Sequence, residues 1–126
     1  MALQPRIGEE GEALAVAYLR RKGYRIIERN YRCPLGEMDI VAVDGKTLCF
    51  VEVKTRSTEK YGGPEVAVHR QKQERLSKIA LWFLKERHLE HMRARFDVVA
   101  IRRRGELNRV EHFRNAFDLA YGSMDG

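Results

Sequence analysis

Cysteine is scarce in this sequence: Cys33 and Cys49 are the only two among 126 residues. They have no metal-type spacing and Cys49 sits in an apolar run, so neither a disulfide framework nor a cysteine-built metal site is expected. Long apolar stretches are missing too. None approaches the roughly 18 residues that a membrane span needs, which argues against a membrane partner. Residues Met1 to Gly11 include Glu9 and Glu10 and lack the apolar core of a secretory signal, so a cytoplasmic protein is expected. There is no repeat, low-complexity tract or linker. A chain of this length can bury one core unaided, and a single domain over residues 1–126 is the expectation.

Hydrophobic residues make up 44% and charged residues 33%, a globular balance rather than a disordered one. Lys and Arg outnumber Asp and Glu by 24 to 18, a net charge of +6 that favours polyanionic partners through counterion release. The basic residues gather at Arg20–Arg25, at Arg70–Arg75 and at Arg102–Arg104. Any one cluster alone would equally suit a solvated surface.

Periodicity supplies the elements. Ile7, Gly11, Leu14, Ala15, Tyr18 and Leu19 mark one stripe of a helix over Pro5–Lys22, stopped by Gly23. Glu10 and Glu12 fall on opposite margins of that stripe, and the spacing does not choose between them. Tyr24–Arg32 reads as a strand ended by Cys33-Pro34-Leu35-Gly36. Glu37–Val43 and Thr47–Thr55 read as a hairpin around Asp44-Gly45, apolar on both parities and therefore central, with both faces covered. A second helix is expected over Glu65–Arg87, with Pro64 suited to its start and Leu76, Ile79, Ala80, Phe83 and Leu84 on its core stripe. Trp82 points off that stripe. Arg95–Arg102 and Arg109–Phe113 read as two further strands, and Ala116–Tyr121 as a short closing turn or helix. The expected fold is α/β, order αβββαββ, with a mixed five-stranded sheet flanked by helices.

The hairpin carries the chemistry. With Asp44-Gly45 as a two-residue loop, Asp39 would face Phe50 and Glu37 would face Glu52, and Glu37, Asp39, Glu52 and Lys54 would share one face. Carboxylates that close on an apolar sheet repel each other and cost several kcal/mol to desolvate unless a cation joins them. Mg²⁺ or Mn²⁺ suits such oxygens. A lysine two residues beyond Glu52 would then stand beside a metal-bound water or an attacked phosphate, which fits phosphodiester hydrolysis.

These residues resemble a known pattern. Gly36-Glu37-Met38-Asp39, followed by Glu52-Val53-Lys54, resembles the Asp plus Glu-x-Lys core of the PD-(D/E)xK nucleases, a superfamily with a restriction-endonuclease-like fold. With Gly11-Glu12, Asn30-Tyr31-Arg32 and Phe50-Val51-Glu52-Val53-Lys54-Thr55-Arg56, the chain is similar nearly throughout to the YraN-like bacterial family, itself similar to Holliday-junction resolvases. The resemblance implies a metal-dependent endonuclease acting on DNA, branched or structured. It implies metal ligands at Asp39, Glu52 and the Val53 carbonyl, Lys54 as the catalytic cation, and Glu12, rather than Glu10, as an accessory acid. Met38 stands where the superfamily's namesake proline would be, which loosens the inference about substrate.

Further residues have two readings each. His69, Lys72 and Gln73 would line the site and contact nucleic acid if the second helix begins beside Lys54, and Arg56, continuing the catalytic strand, would hold a phosphate; otherwise all four are solvated. Glu37 reads as a supporting acid, Trp82 as a base-stacking, dimer-interface or hollow-covering residue, and Asp97 has no assigned role. A homodimer would suit cutting two strands. The competing functions are a nucleic-acid-binding module without turnover and a structural adaptor.

Overall fold

The computed structural model describes residues 7–57 and 68–118. Over them the elements are α1 (Ile7–Arg21), β1 (Arg25–Cys33), β2 (Gly36–Asp44), β3 (Thr47–Ser57), α2 (Arg70–Glu86), β4 (Arg93–Arg104) and β5 (Leu107–Phe117), the expected αβββαββ order. The strands form one sheet in chain order, parallel only between β3 and β4. A parallel step requires a crossover, and α2 lies in it.

Each helix covers one face. On one side Ala15, Val16 and Leu19 of α1 pack on Ile40, Ala42, Cys49, Val51, Val99 and Ile101. On the other, Leu76, Ile79, Ala80, Phe83 and Leu84 of α2 pack on Val41, Leu48, Phe50, Phe96 and Val98, with Phe83 set edge-on against both Tyr31 and Phe50. The β2–β3 hairpin is thus central and doubly covered. The apolar stripe of α2 is the one its spacing indicates, and Trp82 off that stripe is 40% exposed. Cys33 and Cys49 are free thiols. No helix among the described residues is long and apolar enough to cross a membrane.

Four local expectations fail. Asp44 pairs with Thr47, so the turn is Gly45-Lys46 and not Asp44-Gly45. Gly45 takes the left-handed φ of +61°, while Arg95 and Arg114 hold the Asp44 carboxylate and keep that residue in the strand. Phe50 therefore faces Val41 rather than Asp39. Next, α2 begins at Arg70, with His69 in extended conformation as its N-cap; Pro64, placed at the helix start by the spacing, lies outside the described residues. Third, Ala116 and Phe117 continue β5 instead of starting a helix, because Phe117 stacks on Phe96 at 4.5 Å. Of the expected closing turn, residues 119–121 lie outside the described residues. Last, Met38 packs in the α2-side core while Ile40 and Ala42 pack on the α1 side, so strict alternation breaks near Asp39.

Gly11 sets how closely α1 lies on the sheet. A Cβ there would stand 2.1 Å from Oγ1 of Thr55, a distance at which something must move. Gly11→Ala would gain about 1 kcal/mol of helix propensity, but forcing the helix off β3 should cost about 1–3 kcal/mol. Urea denaturation should therefore show a net loss of stability for Gly11→Ala. Adding Thr55→Ala should recover most of it, whereas an additive double mutant would mean that the contact is not the cause.

Candidate active site

The sheet forks where the predicted acids lie. β2 pairs with β3 from Asp44↔Thr47 as far as Ile40↔Val51, whereas Gly36–Met38 pair with β1 and Glu52–Ser57 pair with β4. Extending the β2–β3 register by one step puts Asp39 opposite Glu52. The strands part there instead, and Oδ2 of Asp39 accepts a hydrogen bond from the Val53 N–H at 2.8 Å. Across β1, Arg29↔Ile40 and Tyr31↔Met38 flank Asn30, whose φ is +53°. Asn tolerates that left-handed conformation better than most residues. This twist in β1 lies beside the break in alternation between Met38 and Ile40.

The fork opens a cavity of about 400 Å³ lined by Glu12, Asn30, Leu35, Gly36, Glu37, Asp39, Glu52, Lys72, Arg75 and Leu76. Residues from helices on opposite faces meet in it. Glu52 is buried, and Lys72 from the first turn of α2 reaches its Oε1 at 3.1 Å. Asp39 carries a strong electrostatic load. Burial pushes its carboxyl from the ordinary 3.8 up to about 7, helped by the Glu52 charge, by a hydrogen bond with Glu52 and by the Glu12 charge; the Val53 N–H opposes the rise.

The structure brings together Asp39, Glu52, Glu12 and Lys72. Lys54, half-buried, follows Glu52 on the same strand face by period-two alternation. Val53 meets Asp39 through its N–H. Glu10 is taken up by Arg103 at 3.0 Å, leaving Glu12 as the α1 acid at the cavity. Glu37 lines the cavity rim and pairs with Arg32 at 3.5 Å. The other residues singled out are occupied differently. Gln73 donates to the Val68 carbonyl at 2.7 Å, His69 stands exposed at the N-cap, and the Arg56 guanidinium donates to the Thr55 carbonyl at 2.9 Å. Arg75, within a cluster noted only for its charge, lines the cavity.

A profile of the Uncharacterised protein family UPF0102 matches residues 11–101, which take in α2, the fork and α1 from Gly11 onward. This chain belongs to family UPF0102. The family is the YraN-like one of the restriction-endonuclease-like superfamily, so the resemblance read from the residues holds. Among UPF0102 relatives, the protein of Syntrophus aciditrophicus (strain SB) is 53% identical over 93% of this chain and 92% of its own length. That of Geobacter metallireducens is 54% identical over 91% and 94%, and that of Geobacter sulfurreducens is 55% identical over 91% of each.

This UPF0102 member has a second ionic cluster that sequence reasoning missed. Asp97, fully buried on β4, accepts from Arg95 at 3.0 Å, from the Asn115 N–H at 3.0 Å, and lies 2.8 Å from His112. Arg95 continues to the Tyr24 hydroxyl and to Asp44. Although burial acts to raise the Asp97 pKa, the His112 and Arg95 hydrogen bonds outweigh it and hold the carboxyl below its ordinary value. The one sequence signal was an acid inside the apolar Phe96–Ala100 run.

The two acids should respond to pH in opposite senses. With its pKa raised on folding, Asp39 contributes stability that is fully present below 3.8 and lost as pH rises through about 7. In metal-free protein, the stability advantage of Asp39→Asn over wild type should therefore grow between about pH 4 and pH 8 in denaturant titrations; a flat difference would contradict the electrostatic account. Asp97, with its pKa depressed, contributes stability that is present above its unfolded value and lost as pH falls through the folded one. Asp97→Ala should cost about 3–5 kcal/mol near neutrality, because it leaves half-buried Arg95 with Asp44 alone and strips His112 and the Asn115 N–H of their acceptor. A loss below 1 kcal/mol in the same titration would refute that role.

Proposed function

We propose that this protein is a metal-dependent endonuclease that hydrolyses phosphodiester bonds in DNA, its family's likeness to junction resolvases favouring branched or structured substrates. One observation carries the reading: Asp39 and Glu52 are forced together in the fork, with Glu12 near, and Asp39 resists ionising until about neutral pH. A site that stores that much repulsion is poised for a cation.

The donor set fits a hard, water-rich ion. Among the described residues no group of three or more His, Cys, Asp or Glu side chains is arranged to hold a metal ion, so the set on offer is two carboxylates with backbone and water. Mg²⁺ and Mn²⁺ suit one or two carboxylates, a carbonyl and several waters, which here would be Asp39, Glu52 and the Val53 carbonyl. Such an ion supplies positive charge that lowers the pKa of a water and polarises the phosphate. The chain's own residues do the rest. Asp39 and Glu52 fix the geometry, with Asp39 anchored by the Val53 N–H. Lys54, two residues on from Glu52, orients the attacking water and offsets charge on the phosphate. Lys72, exchanged off Glu52, turns its ammonium to the same phosphate. Glu12 is placed to accept a proton at the edge of the cavity.

Isothermal calorimetry should show wild type binding Mg²⁺ or Mn²⁺ and Asp39→Asn not binding it. With branched, single-stranded and duplex DNA, wild type should cut at least one substrate, and Asp39→Ala should slow it about a thousandfold, the several kcal/mol expected of lost metal catalysis. Equal cleavage by both proteins would end the proposal. A second reading, a binding module without turnover, draws on the Lys72–Glu52 pair, which already neutralises one carboxylate. It predicts silent calorimetry, with DNA binding that survives Glu52→Gln and Lys54→Ala.

A further inference from the structure

The face that carries Glu52 and Lys54 continues outward to a row of arginines. Arg56 on β3 pairs with Arg102 on β4, and Arg102 pairs with Arg109 on β5. Directly opposed residues on neighbouring strands point to the same face, so the three side chains stand side by side. Counting back along β3, Arg56 follows Lys54 and Glu52 at intervals of two. The row therefore lies about 7 Å beyond Lys54 and spans about 10 Å across three strands.

Such a row is unfavourable in isolation, because like charges directly opposed across strands destabilise a sheet. Its compensation is slight. Arg102 pairs with Glu111, and Arg56 leans on the Thr55 carbonyl. Arg56 and Arg109 are exposed, and Arg104, two residues beyond Arg102 on the same face, is exposed as well. Arg103, on the other parity, faces the α1 side and pairs with Glu10, so it does not belong to the row. Read outward from the fork, that face presents an acid for a cation, then a lysine, then a bank of guanidiniums.

We propose that Arg56, Arg102 and Arg109 form a phosphate-binding row that holds the backbone of duplex DNA beside the scissile position. This deepens the nuclease reading and rests on it for the nature of the polyanion. Guanidiniums spread over about 10 Å match a duplex, which presents one phosphate charge per ~1.7 Å of helix axis. The row binds and positions; it does not touch the reacting atoms. Its direction also fixes a polarity, with the DNA backbone crossing β3, β4 and β5 roughly at right angles to the strands.

The test separates binding from turnover. Fluorescence anisotropy with a labelled duplex in EDTA reads binding without metal or cleavage. Arg56→Gln/Arg102→Gln/Arg109→Gln should weaken binding at least about tenfold and flatten the slope of log K against log salt by about 2–3. Arg20→Gln/Arg21→Gln/Lys46→Gln removes the same formal charge from exposed sites on α1 and the β2–β3 turn, and should change binding less than about threefold. If loss of the Arg102–Glu111 pair unfolds the triple variant, Arg56→Gln/Arg109→Gln keeps that pair and should flatten the slope by about 2. Equal losses in the row and control variants, unchanged binding by the row variants, or no binding by wild type would each overturn the row. The nuclease reading fails on separate readouts, namely calorimetric metal binding and wild-type cleavage. Where wild type cuts, a row variant should show a raised KM with kcat retained at saturating DNA.

Discussion

The hydrogen bond from the Val53 N–H to the Asp39 carboxylate is the contact on which the site depends. It stands where a β2 carbonyl would stand had the two strands stayed paired. A buried N–H left without an acceptor costs about 1–3 kcal/mol, so the sheet can open at this point only because a side chain takes over the backbone's role. The opening then joins the two faces of the sheet. It lets Glu12 from the helix on one face and Lys72 from the helix on the other line the same cavity, which an unbroken sheet would keep apart.

The parallel pairing of β3 and β4 extends this arrangement. Both strands run outward past the fork, so the residues after Glu52 on β3 and those after Val98 on β4 emerge at the same end of the sheet. Open α/β folds place ligands beyond the carboxyl ends of their strands. Here α2 also begins at that end, with no acidic residue in its first turn, and its N-terminal dipole favours negative charge there. Sheet polarity, helix polarity and the arginine bank all point the same way.

Much of this was legible in the sequence, and for a definite reason. The apolar stripe of α2 and the doubly apolar hairpin fixed the layers. The turn was placed wrongly, yet Asp39 and Glu52 still share a region because the error shifted the register by two residues, and a shift of two preserves side-chain parity. What escaped was long-range or irregular. The left-handed Asn30 leaves no periodic trace, and it accompanies the crossing of Met38 to the α2 side. The Lys72–Glu52 pair depends on where α2 begins, which the spacing set five residues early. The arginine row needs the registers of two strand pairs at once, and the cluster around Asp97 needs the β4–β5 register with its irregularity between Phe96 and Val98.

Two aspartates in one sheet show how surroundings set the protonation of a buried acid. Both are half a turn of alternation away from apolar neighbours, and burial presses on both to take a proton. Asp97 is answered by a guanidinium, an imidazole and a backbone N–H, and it stays ionised as a fastener between β4 and β5. Asp39 is answered by one N–H and confronted by two further acids, and its proton affinity climbs instead. A fold that needed only rigidity at the fork could have used the Asp97 solution, since arginines are plentiful nearby. It keeps Lys72 on Glu52 and leaves Asp39 short of positive charge. That imbalance costs stability above neutral pH, and the proposed cation would remove the cost while using the geometry the fork provides.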